Sequence, residues 1–466
     1  MYFCAVRIED LPGPRGLPIL GNMLQLRTSR MHEVAEGWSR EYGDYFRFRI
    51  GPRQFVGVAN PETIAAMLRD RPDGFHRSER LSAIADDMGF NGVFSANGDA
   101  WRRQRQMVMA SFDPRHIKRY FPALVKVTER FERRWRRAAA AGEAIDLQAD
   151  LMRYTVDVTS GLAFGIDMNT LESEDEVIQA HLDKVFPSLF KRLMAPFPYW
   201  QWFRDKALDG HLQALRDAVA GFIAEARRRL EVDPNLREHP GNLLEAMLAA
   251  RDNPDSGLTD GDVSGNVLTM LLAGEDTTAN TLAWMIYLLY RHPQALRQAT
   301  NEAASGFTHY ESVSALPFID ACINETMRLK PVAPIIILQP TRDTVVADIQ
   351  LPKGTVIMCL MRAGPTDERR FPDALSFDPS RWLEGAARGA SASSPKRVSM
   401  PFGAGPRLCP GRYLAILEMK MVMAMLLGGF ELESVGTPDG GEAREHLAFT
   451  MYPEGLRLKL RAQARA

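Results

Sequence analysis

The chain has 466 residues, of which 45% are hydrophobic and 25% are charged. This composition provides a large apolar core and excludes a chain that is disordered throughout. The 57 basic and 58 acidic residues give a formal net charge of −1, which excludes a protein that coats nucleic acid through a net basic surface.

The first 26 residues are rich in proline and place charges between their apolar residues. They predict an extended lead-in, because they lack the continuous apolar run of a signal peptide or a membrane anchor. A later stretch without Lys or Arg, Val263–Tyr290, carries Glu275 and Asp276 near its middle, where a bilayer disfavours charge. We therefore expect no integral membrane segment.

Strand signals come first along the chain. Tyr45–Ile50 and Gln54–Val58 are rich in aromatic and β-branched residues and flank Gly51-Pro52, so they predict a β-hairpin. Helical patterns then dominate from about Glu62 to Leu329. Breaks between helices are predicted at Gly89–Gly98, Asp113-Pro114, Asp233-Pro234, Pro240-Gly241, Asn253-Pro254 and His292-Pro293.

The rest of the chain changes character. A polar segment covers Arg381–Lys396, and a last helix is predicted from Pro410. Because no internal repeat or polar linker divides the chain, we expect residues 1–466 to form one mainly helical domain with small sheets at one side. The predicted strands here are Val332–Leu338, Thr344–Leu351, Thr355–Leu360 and further short strands within Leu447–Leu460.

The cysteines indicate the compartment. None has the paired spacing of a disulfide framework or a zinc cluster, so a reducing cytoplasm fits this usage best. The four positions are Cys4, Cys322, Cys359 and Cys409. We expect a cytoplasmic protein and a monomer.

Residues Pro401–Gly411, here called the cysteine loop, are the most informative segment. Pro410 suits the first position of a helix, which would place Cys409 beside the helix cap, where the dipole and free N–H groups stabilise a thiolate. The glycines at 403, 405 and 411 let the backbone turn sharply and approach a flat group, and Arg407 could reach a carboxylate on that group. Together these features suit heme with a cysteine ligand. The alternative is one buried cysteine in a glycine-rich turn.

This loop resembles the heme-binding signature of the cytochrome P-450 family. The matching residues are Phe402-x-x-Gly405-x-Arg407-x-Cys409-x-Gly411, followed by Ala415 and Glu418. The resemblance implies a mainly helical fold, heme b (iron protoporphyrin IX) held between two helices, and insertion of one atom of O2 into an organic substrate. Cys409 would be the iron ligand. The other residues placed at the heme are Trp101, Arg105, Ala273, Gly274, Pro401, Phe402, Gly403, Arg407, Gly411 and Ala415.

The segment Ala273-Gly-Glu-Asp-Thr-Thr278 lies in the middle of a predicted helix. The Thr277 hydroxyl can bond back to the Ala273 carbonyl, while Gly274 removes bulk, so the segment could make room for a diatomic ligand. A purely structural Thr pair is the alternative. The segment resembles the family's oxygen-activation motif, which implies that Asp276 and Thr277 are the catalytic acid and alcohol that supply protons.

Further anchors follow from the same resemblance. Glu325 and Arg328 share a helix face and resemble the family's Glu-x-x-Arg pair. The resemblance implies that they form a structural triad with Arg381. Trp382 stands where the family usually has Phe. Trp101 and Arg105 share another helix face and would bind heme propionates, unless they belong to a solvated basic helix. Relatives often place a basic residue near Leu338 for a propionate, and this chain has Leu338 and Gln339 there.

The resemblance also implies partners. The substrate would be a lipophilic small molecule such as a fatty acid, terpene or steroid, hydroxylated or epoxidised in a pocket that includes Val332, Ile335 and Ile336. With no reductase segment in the sequence, electrons would come from NAD(P)H through a separate ferredoxin or flavodoxin and its reductase. A basic face for such a donor is predicted at Arg102, Arg103, Arg105, Arg115, Lys118, Arg119, Arg412 and Lys420.

Two other functions stay open on the sequence. The first is a heme-thiolate isomerase, dehydratase or peroxygenase on the same fold, which would not need protons delivered for O–O cleavage. The second is a heme-binding sensor without turnover. The pair Asp276-Thr277 argues against the first, and together with the apolar pocket it argues against the second.

Overall fold

The computed structural model describes residues 5–109, 112, 114–173, 177–304, 306–383 and 395–463. Cys4 and most of the polar segment after Arg381 lie outside these ranges. The described helices are α1 Met31–Tyr42, α2 Pro61–Arg69, α3 Glu79–Met88, α4 Gly98–Met109, α5 Pro114–Ala141, α6 Leu147–Phe164, α7 Val177–Met194, α8 Lys206–Val232, α9 Leu243–Asp252, α10 Asp260–Arg291, α11 Pro293–Ala303, α12 Tyr310–Ser314, α13 Pro317–Leu329, α14 Pro395–Val398 and α15 Arg412–Gly429.

Twelve short strands are described beside these helices. The predicted hairpin is confirmed, and the helix breaks that fall within the described ranges are confirmed as well. The strands are β1 Tyr45–Ile50, β2 Arg53–Val58, β3 Phe75–Arg77, β4 Ile145–Asp146, β5 Ile335–Pro340, β6 Thr344–Val346, β7 Ile349–Leu351, β8 Val356–Leu360, β9 Phe430–Gly436, β10 Glu445–Leu447, β11 Met451–Pro453 and β12 Arg457–Ala462.

The largest sheet has the strand order β1-β2-β8-β5-β3. Its β2 and β8 are parallel, whereas its other neighbours are antiparallel. Three smaller sheets have the orders β10-β11, β4-β12-β9 and β6-β7. The lead-in is extended as predicted and follows the first sheet, since Arg47 N donates to Pro12 O at 2.9 Å and Asn22 N donates to Arg49 O at 2.7 Å.

Helix α10 runs through the core. It starts at a capping box in which Thr259 Oγ1 accepts from Asp262 N at 3.1 Å and Asp262 Oδ2 accepts from Thr259 N at 2.8 Å. Nearly every residue between Val263 and Leu289 is buried, because the helix packs against α6, α8, α13 and α15. Its long apolar sequence therefore reflects burial in protein. Within the described ranges, no helix combines the length and the apolar character that crossing a bilayer requires.

A buried ion network ties the helices to the sheets. Glu445 at the start of β10 accepts from His32 Nε2 at 2.7 Å, Arg362 Nη1 at 2.7 Å and Lys330 Nζ at 2.5 Å. Arg362 also forms a bidentate pair with Glu36 of α1, at 3.0 and 2.8 Å. Burial alone would raise the pKa of Glu445, but these donors hold it far below its usual range.

We predict that Glu445→Gln lowers the free energy of unfolding by about 3–5 kcal/mol at pH 7, because it removes the anion from buried cations. The depressed pKa means that the contribution of Glu445 is present above its unfolded pKa of about 4.3 and is lost progressively as the pH falls below it. Chemical denaturation measures both effects. Glu431→Gln is the control, since Glu431 pairs with Arg461 on the surface and should change stability by under about 1 kcal/mol. Equal losses in the two variants would contradict the prediction.

Candidate heme and oxygen site

A cavity of about 370 Å³, here called the large cavity, is lined by α10, by β5 and by the cysteine loop. Most of its lining side chains are apolar. Val332, Ile335 and Ile336, predicted for the substrate pocket, all line it. Of the cofactor residues predicted from the sequence, all eleven line it: Trp101, Arg105, Ala273, Gly274, Pro401, Phe402, Gly403, Arg407, Cys409, Gly411 and Ala415.

The cysteine loop is held in a tight conformation. Cys409 N donates to Phe402 O at 3.0 Å, and the loop turns through Gly403 and Gly405, whose φ angles are +75° and +69°. A Cβ on Gly405 would lie 2.6 Å from the Leu68 carbonyl oxygen of α2. Gly405 is therefore required both for its left-handed backbone and for contact with α2.

The helix after the loop starts later than predicted. It begins at Arg412 with Gly411 as its cap, so Pro410 is not its first residue and Cys409 precedes the cap by two positions. The thiolate of Cys409 is still stabilised, because the amides of Gly411 and Arg412 donate to its sulfur. Burial nevertheless raises the pKa of Cys409, and these amides with the charges of Arg105 and Arg412 oppose that rise. Bonding to a metal would remove the remaining proton.

Three arginines that line the large cavity have buried N–H groups without a partner. Among the described residues, Arg71 Nε and Nη2, Arg77 Nε, and Arg407 Nε and Nη1 have no hydrogen-bond partner. Burial lowers the pKa of Arg71 to about 10 and that of Arg407 to about 9, and it lowers the pKa of Arg77 strongly. Unpaired buried cations are costly, so this part of the cavity is built for anionic carboxylates.

Arg71 and Arg77 were not predicted as site residues. Arg77 lies in β3 directly opposite Leu338 of β5 and lines the large cavity, so the strand pairing places a cation beside an apolar position. Its Cζ lies 3.9 Å from the centre of the Phe94 ring. The sequence signal was the clustering of arginines before and after Phe75, but only the strand pairing shows where they point.

Trp101 and Arg105 both contact the cysteine loop from α4. The Cζ of Arg407 lies 4.7 Å from the centre of the Trp101 ring, and Arg105 Nη2 donates to Leu408 O at 2.6 Å. Arg407 Nη2 is itself held by Asn97 Oδ1 at 3.2 Å and by Ala96 O. These contacts fix the loop on both sides of Cys409 and leave Nε and Nη1 of Arg407 without a hydrogen-bond partner.

The predicted back-bond in α10 is confirmed, with Thr277 Oγ1 donating to Ala273 O at 3.0 Å. The interpretation of Gly274 was wrong in one respect. A Cβ there would lie 2.3 Å from Thr159 Oγ1 of α6, so the space released by the missing side chain is filled by Thr159. Gly274 mainly permits α6 and α10 to pack closely, although its backbone also lines the cavity.

Asp276 does not line the large cavity, although Thr277 does. It lines a second cavity of about 330 Å³, here called the side cavity, together with Gln148 and Tyr452. Its Oδ1 accepts from Asn280 Nδ2 at 2.9 Å, and its Oδ2 accepts from the Thr450 hydroxyl. Along α10, Glu275 and Asp276 line the side cavity, whereas Thr277 and Thr278 line the large cavity.

The predicted Glu325–Arg328 pair is buried, with a side-chain exposure of 0% for each residue. Two 2.7 Å hydrogen bonds join them, and Arg328 also donates to the carbonyls of residues 365, 374 and 376. Arg381 Nε lies 3.5 Å from Glu325 Oε1. Trp382 adds a partner that Phe could not provide, because its indole N–H donates to Glu325 Oε2 at 2.9 Å.

Comparison with known proteins decides the family. The cytochrome P450 family model matches residues 11–460. The chain belongs to the cytochrome P450 family. It is 28% identical to the mitochondrial 25-hydroxyvitamin D-1 alpha hydroxylase of Mus musculus, over 91% of this chain and 87% of that protein. It is 27% identical to the pentalenene oxygenase of Streptomyces avermitilis, over 97% of each chain.

A further relative is longer. The chain is 28% identical to a self-sufficient cytochrome P450 monooxygenase of Penicillium freii, over 97% of this chain and 43% of that protein. Family membership makes this chain an oxidoreductase of the monooxygenase type and implies heme. The residues fit that cofactor, since one sulfur donor, an apolar cavity and unsatisfied arginines meet in one place.

Aromatic side chains of α7 reach both cavities, since Phe190 lines the large cavity and Phe186 lines the side cavity. Phe197 and Trp202, which follow α7, are exposed.

The predicted basic face is weaker than its sequence implies. Lys420 is buried against Asp320 at 3.0 Å; Arg102 and Lys118 have acidic partners on the surface.

We predict that Gly274→Ala lowers the free energy of unfolding by about 1–3 kcal/mol, because its Cβ collides with Thr159. The loss should shrink in a Thr159→Ala background, where the colliding hydroxyl and methyl are absent. Gly221→Ala on exposed α8 has nothing within 4 Å and should instead stabilise by about 0.5–1 kcal/mol. A loss that is equal in both backgrounds, measured by chemical denaturation, would remove Thr159 as the cause.

Proposed function

We propose that this cytochrome P450 uses Cys409 as its iron ligand and hydroxylates or epoxidises a lipophilic small molecule such as a fatty acid, terpene or steroid. The observation that carries the proposal is the position of Cys409, whose sulfur lines an apolar cavity beside arginines with unsatisfied N–H groups. When bound, heme supplies the iron at which O2 is activated.

The chain's own residues divide the remaining work. Arg71, Arg77 and Arg407 would hold the heme carboxylates, with Trp101 stacked under Arg407 and Arg105 holding the cysteine loop at Leu408. The backbone around Gly403 and Gly411 would lie against the ring. Glu325, Arg328 and Arg381 would keep the segment before the loop in place.

On the oxygen side, the Thr277 hydroxyl is proposed to hold a proton donor in reach of the reacting oxygen. Its own proton is engaged by Ala273 O, so its lone pairs face the cavity and can accept. Asp276 is proposed as the acid that replenishes protons. The apolar lining from β5 excludes bulk water, which would otherwise compete with the substrate.

The lining of the large cavity supports the proposed substrate class. Val332, Ile335 and Ile336 present branched apolar surface, and Phe94 and Phe190 add aromatic surface. Such a lining binds apolar molecules through burial of their surface. The relatives named as a pentalenene oxygenase and as a 25-hydroxyvitamin D hydroxylase agree with this class.

Electrons are proposed to come from NAD(P)H through a ferredoxin or flavodoxin and its reductase. Arg412 directly follows the cysteine loop, and its Cζ lies 4.4 Å from the ring centre of Tyr413, which is 48% exposed. Arg119 is exposed on α5. An acidic donor would be steered to such cations, and salt would weaken the attraction.

We further propose a cytoplasmic monomer in which residues 1–466 form one domain. One cluster of buried apolar side chains extends from α1 to β12. The described cysteines, Cys322, Cys359 and Cys409, are not joined in disulfides, which agrees with a reducing compartment.

The proposal is tested by the reduced carbon-monoxide complex, which should show the strongly red-shifted Soret band of thiolate ligation. Cys409→Ala should lose this band. Cys4→Ala, Cys322→Ala and Cys359→Ala should keep it and serve as matched controls. A histidine-type band in the parent protein would contradict the role given to Cys409.

We predict that Thr277→Ala binds heme but forms at least about tenfold less product per NADPH, with electrons diverted to peroxide or water, because proton delivery fails. Thr277→Ser keeps the hydroxyl and should retain most of the parent's coupling. Product, peroxide and NADPH are measured with surrogate redox partners. If the alanine variant couples as well as the parent, Thr277 does not have this role.

A further inference from the structure

We propose that Thr450 carries protons from Asp276, which faces the side cavity, into the large cavity. This inference rests on the proposed function and deepens it, because it identifies the hydroxyl that connects the acid to the reacting centre. Thr450 follows β10 in the loop that leads into β11, far from Asp276 in sequence. It was not among the residues predicted to be catalytic.

Among the described residues, Thr450 places a hydroxyl between the large cavity and the side cavity. It lines both cavities, and its Oγ1 donates to Asp276 Oδ2. The two residues are buried, at 6% and 8% exposure. Asp276 lines only the side cavity, so a proton that leaves it for the large cavity must cross the wall that Thr450 helps to form.

The other oxygen of Asp276 is held by an amide chain. Asn280 Nδ2 donates to Oδ1 at 2.9 Å, and Gln148 Nε2 donates to Asn280 Oδ1 at 2.8 Å. An amide nitrogen donates and does not accept, so it keeps the proton of a neutral Asp276 off Oδ1. The exchangeable proton is therefore favoured on Oδ2, the oxygen that contacts Thr450.

The side cavity provides the source of protons. Its lining includes the polar groups of Asp146, Gln148 and Tyr452, so it can hold hydrogen-bonded water. The side chain of Asp146 is 47% exposed, which places one edge of this cavity at the protein surface. Water entering there reaches Asp276 without passing through the apolar large cavity.

The transfer is balanced in protons and needs no electrons. The Asp276 carboxylic acid gives its Oδ2 proton to Thr450 Oγ1 while the Thr450 hydroxyl gives its own proton to a water molecule in the large cavity. One O–H bond breaks and one forms at Thr450, so the residue ends unchanged. The Asp276 carboxylate then takes up a proton from bulk solvent through water in the side cavity.

The loop's shape does not depend on the Thr450 hydroxyl. Backbone bonds hold it, with Ala448 N donating to Thr450 O at 3.0 Å and Met451 N donating to Val332 O at 2.8 Å. Thr450→Val keeps the shape of the side chain and removes the hydroxyl. Thr450→Ser keeps the hydroxyl and is the matched control.

The first test does not use turnover. The infrared C=O band of protonated Asp276, assigned by its loss in Asp276→Asn, is followed against pH in the full-length protein. Removing a donor from a carboxylate favours the neutral acid, so Thr450→Val should shift the midpoint to higher pH, and Thr450→Ser should not. An unmoved midpoint in Thr450→Val would overturn the contact on which the relay depends.

The second test uses the heme-loaded protein with surrogate redox partners. Thr450→Val should form several-fold less product per NADPH, release more peroxide and show a larger solvent deuterium isotope effect, and Thr450→Ser should restore the parent values. Parent-like coupling and isotope effect in Thr450→Val would overturn the relay. A parent protein that lacks the thiolate Soret band would instead overturn the proposed function, so the two failures are distinguishable.

Discussion

The constraint on which the site depends is the burial of guanidinium groups without counter-charges. Arg71 and Arg77 come from the region between α2 and the end of β3 and Arg407 comes from the cysteine loop, yet all three line one cavity with unsatisfied N–H groups. A protein interior pays heavily for such cations unless an anion joins them. A dianionic cofactor that binds there stabilises the folded chain by mass action, so cofactor retention and fold stability are coupled.

Helix α10 lines both the large cavity and the side cavity, with different side chains in each. The residues at 273, 277 and 281 recur at helical spacing along the face that lines the large cavity, whereas Asp276 and Asn280 follow the neighbouring face toward the side cavity. One helix therefore presents hydroxyl and small side chains to the large cavity and carboxylates to the side cavity. Close packing of Gly274 on Thr159 fixes the rotation of the helix about its axis and thereby fixes this division.

Local features were predictable from the sequence, because they depend on neighbours along the chain. The β1–β2 hairpin, the helix breaks at proline and the Thr277 back-bond were predicted in this way. Contacts between distant segments were not. Arg77 reaches the cavity only through the β3–β5 pairing, and Asp276 meets Thr450 across 174 residues. The start of α15 was missed because Pro410 and Gly411 are both compatible with a turn before the helix.

Arg77 of β3 lies directly opposite Leu338 of β5, so the strand pairing places a cation beside an apolar position. Two strands that lie side by side offer equivalent starting points for a long side chain, since their Cα atoms are separated by only about 5 Å. A comparison by sequence position sees only the apolar residue at 338 and would score this place as having no cation. A comparison of spatial neighbours would find Arg77 beside it, and it is the better way to judge which members of a family keep a binding contact.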